Sequence, residues 1–392
     1  MPHHRRIREF QRALSGHGID AAIVNLSRDL FYYTGTAQPC LLVITPSDYR
    51  LLVKRAMDFV VSETSLEKEK IESRGTFKDA AACLQKMGVT GGVLGIECDV
   101  MPATLYLKLT KLFGDFSIVD MSGIIFHQRM EKDESEIAAI RKACEIMDAG
   151  HHRVMETLVP GMTEIELAAE VEYAHRRAGH EGILAMRNFD FYISRGPLCS
   201  GDNLFKVSGF SNTITGVGAS PAVPAGPSHR KINTGDLVIV DIPTCWKGYH
   251  SDQTRTYVLG DPSNEIRDLF QKLRMICDSA VSFLKDGVTS RELFETARKT
   301  AEELGVGEYF LGLDPRKGNF IGHGIGLDAN EPPVLFDHSD FPLRKDYVLT
   351  IEIHLTHPDH GAVKLEDVVR VRENDCERLT LTPRELFGVQ VH

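Results

Sequence analysis

The alternation of apolar and polar positions changes character once along the chain, near residue 130. Before that point the pattern is mixed. Residues 5–16 have a helical spacing, AAIVNL, CLLVITP and YRLLVKR alternate as short strands around polar turns, and GGVLGIE and FSIVDMS read as two further strands. Helices are predicted at 76–87 and 102–113, giving an α/β unit of about 125 residues, an ordinary size for one domain. After residue 130 longer helices take over. In KDESEIAAIRKACEIMDAGHHRVMETL the apolar residues Ile137, Ile140, Ala143, Cys144 and Met147 recur on one helical face.

That second region repeats a design. The helix above is followed by a Gly-Met-Thr turn and the helix ELAAEVEYAHRRAG. Later, EIRDLFQKLRMICDSAVSFLK is followed by Gly-Val-Thr and ELFETARKTAEELG. The segments GMTEIEL and GVTSREL lie 126 positions apart, and each sets Thr three residues before Glu (Thr163 with Glu166, Thr289 with Glu292). This is the spacing of a capping box, in which each side chain satisfies the other's backbone N–H. Capping boxes are common, but both copies lie between two helices and precede strand-rich sequence, which favours an internal duplication.

A hairpin pattern follows each helix pair. LVIVDIPTCWKGYHSDQTRTYVL predicts two strands around a Trp-Lys-Gly turn, and VLTIEIHLTHPDHGAVKLEDVVRVRE two around Pro-Asp-His-Gly. These strands carry Asp241, Asp252, Glu352 and Glu366, and His323 lies in the Gly-rich stretch between them. Directly opposite residues of a hairpin have a constant index sum. Asp241 and Asp252 would face each other if the first turn centres between Trp246 and Lys247. Glu352 and Glu366 would do so if the second centres on Asp359. Facing carboxylates about 5 Å apart repel unless a cation lies between them. Singly, an Asp or Glu on a strand is more often solvated, and a lone His323 in a Gly-rich loop would read as a turn cap. Four carboxylates in two facing pairs with a histidine between them point instead to a hard or borderline divalent metal.

Bulk composition narrows the classes. The chain has 392 residues, 42% hydrophobic and 26% charged, so two domains are expected. A net charge of −10 and the lack of a basic stripe argue against nucleic acid. The eight cysteines form no CxxC pair, which suits reduced thiols. MPHHRRIREFQRAL has no apolar signal core, and no run of 18 apolar residues occurs, so a cytoplasmic protein with no membrane partner is expected.

The blocks DIPTCWKGYHSDQTRTY, GHGIGLDANEPP and IEIH…KLEDVV resemble the signatures of the creatinase/aminopeptidase P/prolidase metallopeptidases. The spacings of 11 (241 to 252), 29 (323 to 352) and 14 (352 to 366) resemble the prolidase branch. The resemblance implies an α+β chain: a creatinase-type α/β domain at 1–128, then a pita-bread catalytic domain at 129–392 with an internal pseudo-twofold. It further implies two divalent ions (Mn, Co or Zn) that activate a water to hydroxide between them. Asp252, His323 and Glu366 would hold one ion, with Asp241, Asp252 and Glu366 directed to the other. Glu352 would complete the set and act as general base. Thr254, on the strand face of Asp252, would hydrogen-bond a ligand carboxylate. A peptide substrate of Xaa-Pro type and a homodimer are also implied.

Three positions depart from the family pattern. Asn330 stands where a histidine is usual seven residues after His323. The upstream family histidine, about 17 residues before Asp241, aligns with Pro224, and the nearest histidine is His229. Lys364 replaces the usual arginine two residues before Glu366. A small non-peptide amide is therefore an alternative substrate, and a non-catalytic binding protein a more distant one. His250 could edge the pocket from two residues before Asp252, whereas His357 and His360 read as a hairpin tip. The glycines of GNFIGHGIG lack a following Lys-Ser/Thr, which excludes a phosphate loop.

Overall fold

The computed structural model describes residues 2–188, 195–209 and 213–391. Two compact units divide the chain, Met1–Arg129 and Met130–His392.

In the first unit the strands are β1 (Ala21–Val24), β2 (Cys40–Ile44), β3 (Tyr49–Val53), β4 (Ile71–Glu72), β5 (Gly92–Ile96) and β6 (Phe116–Asp120). They form one mixed sheet in the order β4-β3-β2-β1-β5-β6. The helices are α1 (Pro2–Gly16), α2 (Ser27–Thr34), α3 (Met57–Glu63), α4 (Phe77–Lys86), α5 (Ala103–Leu112) and α6 (Ser122–Met130). Ala80 and Leu84 of α4 and Leu109 of α5 pack on Ile23, Val43, Leu52 and Leu94 of the sheet. The pattern did not predict α2, α3 or α6, which are too short to stand on their own periodicity. Tertiary contacts hold two of them: Asp29 of α2 accepts from Arg129 of α6 at 2.8 Å, both side chains buried.

The second unit begins with α7 (Glu134–Thr157) and α8 (Glu164–Ala178). Strands β7 (Leu198–Ser200), β8 (Leu237–Asp241), β9 (Thr244–Trp246), β10 (Tyr249–Ser251) and β11 (Thr254–Leu259) follow. The helices α9 (Asn264–Phe283) and α10 (Ser290–Glu303) precede β12 (Phe320–Gly324), β13 (Glu331–Phe336), β14 (Val348–His357), β15 (Gly361–Val371), β16 (Cys376–Arg378) and β17 (Phe387–Val389). One sheet runs β17-β11-β8-β7 and another β13-β12-β14-β15-β16, with β9 and β10 as a separate ribbon. Leu269, Leu273, Ile276 and Ala280 of α9 pack with Ile351, Ile353 and Leu365 of β14 and β15 in one apolar core. Val154, Leu167 and Val171 of α7 and α8 pack with Val238, Val240 and Leu259 in another.

Both expected capping boxes form, and the duplication extends well beyond them. Gly161 N donates to Ile232 O and Gly287 N to Leu343 O, both at 2.8 Å. Ile232 N and Leu343 N return bonds to Met162 O and Val288 O, also at 2.8 Å. Glu164 N to Arg230 O and Ser290 N to Phe341 O continue the match. Each turn between paired helices is thus strapped to the segment that enters the next hairpin, which is the pseudo-twofold at the level of single bonds.

The histidines buried in the first half of this unit include His175 and His151. His175 donates from Nε2 to Met147 O, its Nδ1 has no partner among the described residues, and burial pushes its pKa down to about 4. His151, beside the Tyr257 hydroxyl, is likewise pushed down to about 4 by burial. Unfolded histidine titrates near 6.5. Between those values the unfolded chain binds the extra protons, so the stability that the neutral rings contribute is intact above about pH 6.5 and is lost as pH falls toward about 4. Relative to His175→Phe, the wild-type urea midpoint should fall as the pH is lowered from 7 to 4.

Candidate metal centre

Strand periodicity places the polar face. In β14, Ile351, Ile353 and Leu355 enter the core beneath α9, so Glu352 and His354 point the other way. In β15, Val363 and Leu365 enter that core, and Lys364 and Glu366 share the face of Glu352. Glu352 pairs directly with Glu366, as the index sum predicts.

The first hairpin differs from its predicted register. Asp241 lies opposite Thr254, not Asp252. Lys247 and Gly248 both have positive φ, 50° and 79°, and make a two-residue turn with Trp246 facing Tyr249. The turn therefore centres one position later than expected. The ladder also lapses between β8 and β9, where Pro243 has no N–H to give, and between β10 and β11. Asp252 sits in the second lapse.

His323 lies on a strand, β12, and not in a loop. Its Nδ1 donates to Gly324 O at 3.0 Å, so Nε2 is the atom facing Glu352 Oε1, at 3.6 Å. The glycines around it reflect crowding. A Cβ on Gly322, whose φ is 153°, would meet Thr350 O at 2.0 Å. Gly322→Ala should therefore shift β12, cost about 1–3 kcal/mol and weaken divalent-ion binding through His323. Thermal melts with and without Mn²⁺ would check both effects.

Asp241, Asp252, His323, Glu352 and Glu366 are all buried, none more than 9% exposed. One ligand atom each from Asp252, His323 and Glu366 lies within 4.8 Å of the other two. Thr254 Oγ1 donates to Glu366 Oε2 at 2.8 Å, and the buried Glu366 Oε1 has no partner among the described residues. Lys364, 1% exposed, has its ammonium 2.7 Å from Asp241 Oδ2, 2.8 Å from Glu352 Oε2 and 3.5 Å from Glu366 Oε2.

The charges are frustrated without a further cation. Burial, then the neighbouring Glu366 and Asp241, push the Asp252 carboxyl well above its usual range. Burial raises Glu366 to about 8 against the pull of Lys364. Burial also opposes ionisation of Glu352, but Lys364 and His323 outweigh it and hold that carboxyl low. The lysine is desolvated as well, yet Asp241, Glu352 and Glu366 keep its pKa well above the ordinary value. Four carboxylates, one imidazole and an orphaned carboxylate oxygen fit a divalent ion at Asp252, His323 and Glu366.

The centre opens into a cavity of about 310 Å³. Leu184, Met186, Phe320, Val334 and Phe336 give it an apolar wall, and Asn330 lines it beside Ala329. The structure does not bring His229 into this group: it is exposed, while its neighbours Ser228 and Arg230 bond to Glu164 and Asp236. His250, expected to edge the pocket, is buried and is not among the residues lining the cavity; its Nε2 accepts from Ala185 N and its Nδ1 donates to Gly326 O. It joins the two segments that carry Leu184 and Asn330. The apolar wall escaped the sequence reading because residues 183–188 have no periodicity. The facing of Phe320 and Phe336 escaped it because β12 and β13 shift register around His323.

The profile of metallopeptidase family M24 matches residues 138–373, and that of the creatinase/prolidase N-terminal domain matches residues 6–131. The Xaa-Pro dipeptidase of Pyrococcus horikoshii is 28% identical over 387 residues, covering 97% of this chain and 98% of that protein. A protein of Mycobacterium tuberculosis named probable dipeptidase PepE is 32% identical over 78% of this chain and 74% of its own length. Among solved structures, the prolidase from Pyrococcus horikoshii superposes with a TM-score of 0.80 at 26% identity, covering 97% of this chain and 99% of that one. The X-Pro aminopeptidase from Thermotoga maritima gives 0.78 at 26% identity, over 98% and 99%. With the profile spanning more than half of its length and the carboxylate–histidine cluster inside the matched span, this chain belongs to metallopeptidase family M24, behind a creatinase-type N-terminal domain.

Proposed function

We propose that this metallopeptidase hydrolyses the first bond of short peptides of Xaa-Pro type. The observation that carries the reading is the buried cluster of Asp252, His323 and Glu366 at the floor of a cavity with an apolar wall. A divalent cation supplies Lewis-acid polarisation and acidifies water; a site of carboxylates and one imidazole accepts Mn, Co or Zn, and availability selects among them. Glu352 faces the same space, and its low pKa keeps it ionised to take a proton and return it to the leaving amine. Thr254 fixes the orientation of Glu366. Leu184, Met186, Phe320 and Phe336 offer a surface for an apolar residue such as proline. Asn330 can donate a hydrogen bond to a carbonyl oxygen but cannot become cationic.

A cytoplasmic homodimer is part of this reading. No described helix is long and apolar enough to cross a membrane. The test is purified protein loaded separately with Mn²⁺, Co²⁺ and Zn²⁺ against Xaa-Pro dipeptides and tripeptides, with non-peptide amides in the same panel. Cleavage of an Xaa-Pro bond by at least one metal form is expected. Bound metal with no peptide cleaved would refute the peptidase reading, and cleavage confined to the amides would transfer the centre to the alternative substrate.

A further inference from the structure

We propose that the Lys364 ammonium takes the place of a second divalent ion, so that this centre binds a single metal, held by Asp252, His323 and Glu366. The inference rests on the metallopeptidase reading of the site and concerns how its ligands are shared out.

The donor atoms divide into two overlapping groups, linked by Glu352 Oε1 at 3.6 Å from His323 Nε2 and by Lys364 Nζ at 3.5 Å from Glu366 Oε2. Asp252, His323 and Glu366 form the compact trio, with one Glu366 oxygen unpartnered. Asp241 Oδ2 and Glu352 Oε2 are instead joined by Lys364 Nζ, at 2.7 and 2.8 Å. The family resemblance directs Asp241, with Asp252 and Glu366, to the second ion, and Lys364 already holds Asp241 Oδ2. A metal bonding Asp241 Oδ2 at about 2.0–2.2 Å would crowd an ammonium already at hydrogen-bonding distance from that oxygen. The two are like charges in a place with little water to screen them, since Lys364 is 1% exposed and Glu352 7%.

The lysine is held there by the fold. It lies opposite His354 in the β14–β15 ladder, on the same strand face as Glu366, and its backbone N–H and C=O both bond to Thr256 Oγ1. The residue type matters as well. An arginine spreads its charge over a planar fork and can grip a carboxylate from the edge. A lysine presents a compact point charge, which is how a metal ion presents itself. At this position the chain departs from the arginine that its resemblance implies, and the result is a covalently tethered cation between Asp241 and Glu352.

The test is metal stoichiometry on the full chain. Metal-free protein would be titrated with Mn²⁺ and followed by calorimetry and native mass spectrometry, with electron paramagnetic resonance on the loaded sample and Xaa-Pro hydrolysis assayed alongside. One Mn²⁺ per chain at saturation is expected, with the spectrum of an isolated ion. Lys364→Met, which keeps the length and removes the charge, should bind two and show an exchange-coupled pair. If that variant does not fold, the wild-type stoichiometry decides. Two Mn²⁺ per wild-type chain with peptide cleavage would overturn the tethered-cation inference and leave the peptidase reading standing. No bound Mn²⁺ would overturn the tethered-cation inference, and no binding of Mn²⁺, Co²⁺ or Zn²⁺ would overturn both.

Discussion

Replacing Asp252 with asparagine is expected to abolish tight Mn²⁺ binding and to lower Xaa-Pro hydrolysis by about a thousandfold or more, the effect of losing several kcal/mol of metal-dependent transition-state stabilisation. Asp252 is one of the trio whose ligand atoms converge within 4.8 Å, and burial together with Glu366 and Asp241 pushes its carboxyl well above the usual range. That second property makes the prediction specific. In metal-free protein the substitution removes an acid whose ionised form is disfavoured by burial and by Glu366 and Asp241, so stability in chelator should hold or rise. The extra stability gained on adding Mn²⁺ should vanish. Metal content after dialysis, turnover, and melts with and without Mn²⁺ would be measured on the same samples. An Asp252→Asn protein that retained metal and activity would remove this residue from the centre.

The largest loss of stability is expected from Arg255→Met. Arg255 is 1% exposed, and its guanidinium donates to Asp367 Oδ1 at 2.7 Å and to the carbonyls of Thr254, Glu366, Thr382 and Pro383. Methionine fills similar space but strands Asp367 with Arg384 and Thr380 as its remaining partners. Breaking a buried pair of this kind costs about 3–5 kcal/mol. Arg255 also ties β11 to β15 at Thr254 and Glu366, so a fall in metal affinity should accompany the fall in stability. Denaturant unfolding and Mn²⁺ titration would check the two together. A variant with wild-type stability would show that Arg384 alone can serve Asp367.

Much of this was legible in residue order. Ile137 to Met147 and the two capping boxes are local signals, set by neighbours within one helical turn, and they form as expected. The β14–β15 register was readable because nothing in either strand interrupts the ladder and the turn is symmetric about Asp359. The β8–β11 register was not. It depends on the choice of Lys247 and Gly248 as the two turn residues, and on Pro243 breaking the pairing before Asp252 is reached. His323 read as a loop residue because glycine usually marks a turn. Here Gly322 marks a strand that runs too close to Thr350 to carry a side chain. Lys364 gave the weakest warning. Pair arithmetic compares two strands at a time, whereas its ammonium meets carboxylates from β8, β14 and β15.

The duplicated straps from Gly161 to Ile232 and from Gly287 to Leu343 also say something about ownership. The half built on the first strap contributes Asp241 and Asp252, and the half built on the second contributes His323, Glu352 and Glu366. Neither half contains the trio of Asp252, His323 and Glu366. The centre is thus the seam of the duplication, and a cation there works as a rivet: it fastens together two copies of one design, each of which is incomplete as a metal site without the other.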